Sequence, residues 1–147
     1  MPTMVDPMTG LSFVLEVDGA QMAMFATCSG VGSTSEVIES KTSTPDGSIV
    51  IRKVPGRLKW SNLVLERGLD NSTKLWTWRQ QVVDGKADAA RKNGAVVAMG
   101  PEGRALLRWE FVAGWPSGWS VSSTDDAGGL AIERLEIAHE GLKLRVL

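Results

Sequence analysis

Apolar and polar residues alternate through the first readable stretch of the chain: Leu11, Phe13, Leu15 and Val17 are interleaved with Ser12, Val14, Glu16 and Asp18. A period of two sends successive side chains to opposite faces, so this segment is expected to form a half-buried strand, turned into a hairpin by Asp18-Gly19. Met22, Met24 and Ala26 continue the alternation as the inward residues of a return strand that closes near Gly30 and Gly32. A Ser/Thr-rich stretch follows from Ser33 to Ser48, centred on Pro45-Asp46-Gly47, in which Pro presets φ and Gly admits positive φ. With Val37, Ile38, Ile49 and Ile51 on its flanks, it reads as an extended β-hairpin at about 36–57, polar at the tip and with little apolar content of its own. Pro55-Gly56 is expected to break the chain. Leu58, Trp60 and Val64 then fall on one face of a strand, with Lys59, Ser61, Leu63 and Leu65 on the other, and Gly68 ends it.

Between Asp70 and Gly85 the period lengthens to that of a helix. Leu75, Trp78 and Val82 make the core-facing stripe, and Trp76 with Val83 a neighbouring one. Asp70, Asn71 or Ser72 is expected to cap the first turn, and Gly85 to stop the last. The charged stretch Lys86 to Asn93 ends at Asn93-Gly94, and Ala95 to Met99 is a strand turned by Gly100-Pro101-Glu102-Gly103. Leu107, Trp109 and Phe111 alternate against Arg108, Glu110 and Val112. Gly114, Pro116 and Gly118 interrupt the chain around Trp115 and Trp119, and Asp125-Asp126 with Gly128 and Gly129 form a loop. Ile132 to Ala138 alternates with Arg134 and Glu136, and Leu142, Leu144 and Val146 make a last strand. The expected fold is mainly β, sandwich- or barrel-like, with one packed α-helix, in a single domain spanning 1–147.

Composition narrows what such a domain does. Sixteen basic and seventeen acidic residues leave a net charge of −1, without the basic excess of a phosphate-tracking protein. Near-neutrality also removes the self-repulsion that opposes close packing of identical copies. Cys28 is the sole cysteine, so no internal disulfide forms and a reducing compartment is expected. Met1 to Gly10 shows neither the basic nor the apolar region of a signal peptide, and no stretch reaches the ~20 apolar residues of a membrane helix. Membrane insertion as a monomer is therefore not expected. Six tryptophans without a tyrosine, and sixteen glycines, fit large buried plates joined by many turns.

Catalytic chemistry is hard to assemble from these residues. His139 is the only histidine, and with one cysteine it leaves a zinc site to be completed by carboxylates alone; a structural histidine at a strand end is the better reading. Cys28 reads as a small buried group. Gly30-Val31-Gly32 lacks the third glycine of a dinucleotide loop and the helix that should follow it. Asn71-Ser72-Thr73, formally a glycosylation acceptor, reads as a helix cap, and Asp125-Asp126 as a solvated acidic turn. Arg52, Lys53, Arg57 and Lys59 beside Trp60 are the best case for nucleic acid, set against pairing with carboxylates of a neighbouring chain. The tryptophans at 76, 78, 109, 115 and 119 are placed in the core rather than along a sugar-binding groove. No enzyme, metal or cofactor is expected.

Three segments in register carry a resemblance: Val54-Pro55-Gly56-Arg57 followed by Trp60-Ser61-Asn62-Leu63-Val64-Leu65-Glu66-Arg67-Gly68 and Leu75-Trp76-Thr77-Trp78; Gly114-Trp115-Pro116; and Ala131 to Leu142. Their order is similar to that of the tail tube protein family of contractile phages, R-type pyocins and extracellular contractile injection systems, over roughly residues 11 to 144. The resemblance implies a subunit whose sheets join those of its neighbours into one continuous barrel in a hexameric ring. It implies rings stacked into a hollow tube that carries protein or DNA cargo. The partners it implies are further copies of the chain, a contractile sheath protein, baseplate or spike proteins and a terminator. It also implies assembly in the cytoplasm into a phage tail or tail-like particle that is released. The hairpin, with Lys41, Thr44, Asp46, Ser48, Arg52 and Lys53, is the expected contact between rings. Glu16, Lys59 and Ser61 are candidates for a polar channel wall. From other classes, the alternatives are a β-barrel enzyme and a small-ligand or carbohydrate-binding module.

Overall fold

A computed structural model describes residues 7–123 and 129–147 of the chain; the Asp125-Asp126 turn lies outside the described residues. Strand β1 (Ser12–Val17) and strand β2 (Ala20–Phe25) form the first hairpin, turned by Asp18 at φ 53° and Gly19 at φ 79°. Left-handed backbone at both turn residues matches the twist of the strands it joins. Met22 packs partly on the core as expected, but beyond it the inward side of β2 is the reverse of the expected one. Ala23 and Phe25 are buried opposite Leu15 and Phe13, whereas Met24 is exposed. A bulge is the cause: pairing steps from Glu16↔Gln21 to Leu15↔Ala23, so Met22 is an extra residue and every later side chain changes face.

β1 pairs on its other side with β7 (Lys92–Met99), which pairs with β8 (Ala105–Ser123). The first half of β8 also carries β10 (Leu142–Val146), and its second half pairs with β9 (Ala131–Ala138). β9 pairs with β6 (Leu63–Gly68), and β6 with the short β3 (Thr27–Ser29). β3 follows β2 after Ala26, whose N–H bonds the Glu66 carbonyl at 2.9 Å. The path through the sheet thus returns to the stretch of chain where it began, and wraps around one core that includes Leu15, Phe25, Leu65, Val96, Phe111 and Ile137.

β8 runs unbroken through Gly114, Pro116 and Gly118, where interruptions were expected. The strand bends there instead, with Ala113 at φ 50° and a register shift between Pro116 and Gly118, and so serves both halves of the sheet. Asn93-Gly94 likewise lies inside β7, which begins at Lys92 rather than at Ala95. A Cβ on Gly94 would collide with the Glu16 carbonyl oxygen and come within 2.5 Å of the Phe111 ring, so glycine lets two strands close on that ring.

Helix α1 (Lys74–Val83) lies against β8, with Leu75 and Trp78 buried and Val82 half-buried on the core, as its spacing predicts. Trp78 Nε1 donates to the Ala90 carbonyl at 2.8 Å, tying α1 to a short helix, α2 (Ala87–Ala90), in the charged stretch. Trp76 is partly exposed but sets its ring against Trp119 of β8, whereas Val83 is exposed, so only the Trp76 end of the neighbouring stripe packs on the domain. The N-cap position is Thr73, without a side-chain cap; Asp70 instead accepts a hydrogen bond from the Ser72 N–H at 2.8 Å, shaping the approach to the helix. At the far end Gly85 takes φ 80°, its N–H bonds the Val82 carbonyl and that of Lys86 bonds Gln81. These two bonds satisfy carbonyls the last turn leaves open.

Candidate assembly interface

Strands β4 (Ser33–Ser43) and β5 (Ile49–Trp60) make a two-stranded sheet of their own, longer than the expected hairpin at both ends. Pro55-Gly56 does not break it. Ser35 pairs with Leu58 but Val37 with Pro55, so β5 absorbs one extra residue as a bulge. Every strand of a two-stranded ribbon has one free edge, and a proline costs no ladder bond there. β5 ends at Trp60, and Ser61-Asn62 lead into β6, where Leu63 and Leu65 are buried; Leu58, Trp60 and Val64 are therefore not one face of one strand. The root of the ribbon is tied to the body. Ser61 N–H bonds the Gly32 carbonyl at 3.1 Å, and His139 Nε2 bonds the Ser61 carbonyl at 3.0 Å.

The tip is closed by its own side chains. Thr44 Oγ1 donates to Asp46, Ser48 N–H donates to Asp46 Oδ1 at 2.9 Å, and Thr44 N–H bonds the Ser48 carbonyl at 2.8 Å. The Thr44 hydroxyl, then the Ser48 donors, hold the Asp46 carboxyl down at about 2. Thr44, Asp46 and Ser48 thus form one cluster. Lys41 stands opposite Ile51 and Lys53 opposite Glu39, whereas Arg52 stands opposite Ser40 on the alternate face.

The arms differ from the expectation of little apolar content. Val37, Ile38, Ile49, Val50, Ile51, Val54 and Leu58 are all exposed, Ile49 to 68%. The arms mix these apolar residues with charged ones such as Glu39, Lys41, Arg52 and Lys53, whereas the tip is polar throughout. The run Ile49-Val50-Ile51 carried the signal, because three consecutive apolar residues put apolar groups on both faces of a strand.

The outward face of β1, β7, β8 and β10 carries a charge ladder. Glu16 pairs with Arg108, Arg108 Nε lies 3.3 Å from Glu110, and Arg145 reaches Glu110 at 3.1 Å. Lys59, on β5, and Ser61, on the link to β6, are not part of it. Among the described residues, β2 pairs within the main sheet only with β1, and β10 only with β8.

The residues considered for chemistry are engaged structurally. Gly141 N–H donates to His139 Nδ1 at 3.2 Å, so Nε2 carries the proton given to Ser61; burial pushes the imidazole below its ordinary pKa. Burial pushes the Cys28 thiol up to about 11, which suppresses the nucleophilic thiolate. Trp76 meets Trp119 edge-on at 4.9 Å and 70°, which offers no shared flat platform for a sugar ring. Trp109, Trp115 and Trp119 pack partly on the core.

Residues 9–143 match the family described as the T4-like virus tail tube protein gp19. The chain belongs to that family. No curated protein matches it by sequence. Among solved structures, this tail tube protein is similar to the anti-feeding prophage cap, the AFP tube terminating cap. That match has TM-score 0.71 and 16% identity, covering 100% of this chain and 96% of the other. It is similar to a chain of the PVC sheath-tube complex of an extracellular contractile injection system in the extended state, with TM-score 0.69, 17% identity and coverage of 96% and 93%. Hcp1 from Flavobacterium johnsoniae shares the fold at TM-score 0.59 and 14% identity, covering 92% and 95%. The protein is a structural tube subunit, and its mainly β fold with few helices is the fold of these relatives.

Proposed function

We propose that this tail tube protein forms six-membered rings that stack into the hollow inner tube of a contractile phage-tail-like particle. The match to the tail tube family over residues 9–143 carries the reading. The fold supports it. β2 and β10 leave sheet edges to which a neighbour's strand can add, and ring closure limits that addition to a fixed number. The ion-paired ladder of Glu16, Arg108, Glu110 and Arg145 gives the outward face of that sheet a polar, hydrated surface suited to a channel along which cargo slides. The β4–β5 ribbon, with Lys41, Thr44, Asp46, Ser48, Arg52 and Lys53, reaches the next ring.

Matched structures include a sheath-tube complex, a tube terminating cap and a baseplate. The partners of this chain are accordingly a contractile sheath, baseplate or spike proteins and a terminator, besides itself. The subunit works by assembly rather than catalysis and is made and assembled in the cytoplasm. Electron microscopy of the purified protein, alone and with its sheath and baseplate partners, tests this. Six-fold rings and tubes are expected; a stable monomer at every concentration, with no rings beside its partners, refutes it.

A further inference from the structure

We infer that His139 is a pH-sensitive latch at the root of the β4–β5 ribbon. Neutral, it holds the ribbon at one angle to the body; protonated, it lets the ribbon swing. What the latch does for stacking rests on the tube reading above. The ribbon pairs only with itself, so its angle is set where it joins the body. Two short links make that joint, Gly30-Val31-Gly32 on one side and Ser61-Asn62 on the other. They lie close together, since a Cβ on Gly30, which takes φ 81°, would fall 1.9 Å from the Asn62 carbonyl oxygen. His139, between β9 and β10, ties this joint to the body. Its Nε2 donates to the Ser61 carbonyl at 3.0 Å, and its Nδ1 accepts from the Gly141 N–H at 3.2 Å. Trp60, the last residue of β5, closes over the joint. Its ring centroid lies 6.0 Å from that of His139, and a Cβ on Gly141 would stand 3.7 Å from its Nε1.

Only the neutral ring makes both bonds. A proton on Nδ1 turns the acceptor into a donor facing the Gly141 N–H, and a ring that turns away from it gives up Ser61 as well. Burial pushes the imidazole below its ordinary value of 6.5. The latch is therefore closed above that value and opens as pH falls through it toward the lower pKa of the latched ring. On the segments packed about the ring the ionisable groups are Lys59 of β5, Glu136 of β9, Glu140 of the turn and Lys143 of β10, while β8 meets the turn through Val112. Glu136 accepts from Asn62 Nδ2 at 3.2 Å, and none of the four charges sets the pKa of the ring, which burial governs. The twelve residues of β5 reach ~40 Å at ~3.3 Å each, so a swing of ~10° at the root carries the tip about 7 Å. No hydrogen bond from the tip to a neighbouring ring survives that displacement.

Spin labels read the angle on the free subunit. Ser43→Cys near the tip and Lys86→Cys on the body, both exposed positions, carry nitroxides in a Cys28→Ala background. Their separation is measured by pulsed dipolar spectroscopy at about pH 7.5 and about pH 5.5, either side of the ordinary histidine pKa. The distance distribution is expected to be narrow at the higher pH and roughly twofold broader, or more, at the lower. His139→Gln keeps a donor for Ser61 and an acceptor for Gly141 without a titrating proton, and is expected to stay narrow at both. Equal widths for the parent, or a His139→Gln protein that broadens like the parent, overturn the inference. Loss of the fold at the lower pH, followed by circular dichroism, overturns it too, because the release is then global. Parent tubes formed at the higher pH are expected to come apart into rings at the lower, and His139→Gln tubes to persist. Parent tubes that persist at the lower pH overturn the latch's part in stacking. No tubes at either pH overturns the tube reading, and the distances on the free subunit then decide the latch by themselves.

Discussion

Arg67 on β6 and Glu133 on β9 are register partners, and their side chains meet in the core with Nε 2.7 Å from Oε1. Glu133 is 1% exposed, and its second oxygen accepts from Trp119 Nε1 at 2.7 Å. Arg67 also reaches Asp70 at 3.3 Å and lies over the Phe25 ring at 5.7 Å. The pair thus joins two strands, the bent half of β8 and the approach to α1. Glu133→Ala removes the buried partner of the guanidinium and leaves it only the half-exposed Asp70, which is expected to lower stability by ~3–5 kcal/mol. Replacing both, as Arg67→Met with Glu133→Leu, is expected to cost less than that single change. Urea unfolding of the variants decides, and an unchanged midpoint for Glu133→Ala contradicts the role.

Trp78 couples packing to a hydrogen bond, since its ring is buried and its Nε1 donates to Ala90. Trp78→Ala is expected to cost ~3–5 kcal/mol as a buried aromatic truncation. Trp78→Phe keeps most of the ring but leaves the Ala90 carbonyl without its donor, at ~1–3 kcal/mol. Thermal melts rank the two, and a Trp78→Ala protein melting like the parent places the residue outside the core.

Helix and strands were legible in the sequence wherever one element answers to one surface. Leu75 and Trp78 follow the helical period and are buried, and Leu15 and Val17 follow the strand period. Misreadings share a cause, which is that a local period cannot see what lies across it. The bulge at Met22 exchanges the faces of β2, and only its pairing with β1 shows this. Asn93-Gly94 carries turn chemistry, yet Gly94 is there because Phe111 and the Glu16 backbone approach it from other strands. Glu133 occupies an inward position that the pattern of β9 assigns to apolar residues, and its partner lies 66 residues away. The turn at Pro45-Asp46-Gly47 was readable because it is local, and Gly47 takes φ 85° there. The exposed arms of the ribbon were not, because exposure depends on what the rest of the domain leaves uncovered.

Gly94→Ala tests the closeness of that approach. The added methyl meets the backbone of β1 as well as the Phe111 ring, and backbone yields less readily than a side-chain end. A cost of ~1–3 kcal/mol is expected, as for overpacking of a tight core. Gly19→Ala is the control, since no atom stands near its Cβ and only the positive φ opposes it. Equal losses from the two would show that contact at Gly94 is not the constraint.

His139 gives the fold a dependence on pH. Desolvation by burial is the leading cause of its lowered pKa, and the neutral ring is the form that accepts from Gly141 and donates to Ser61. The unfolded chain therefore takes up a proton at higher pH than the folded one. Stability from this residue is present above the ordinary value near 6.5 and is lost as pH falls through it toward the folded pKa. His139→Gln is expected to flatten the melting temperature between neutral and mildly acidic pH relative to the parent. Parallel profiles for the two proteins would rule out this residue as the source.

Shortening the ribbon separates folding from assembly. Ser40 and Arg52 are directly opposed, so an Asn-Gly turn in place of Lys41 to Ile51 rejoins the strands in register. The removed segment pairs only with itself and adds no residue to the core cluster, so the folded subunit should melt within a few degrees of the parent. Its loss also takes away Ile49, Val50 and Ile51, which are exposed on the subunit, so the shortened protein should be at least as soluble. With rings closed through the β2 and β10 edges, as proposed, the ribbon is not needed within a ring, and rings are expected to persist. Contacts between rings are lost at six places together in a hexameric ring, and long tubes should not form. Sedimentation and electron microscopy read both levels at once. Tubes of normal length from the shortened protein would make the ribbon a surface loop, and loss of the folded subunit would make it part of the domain's own stability.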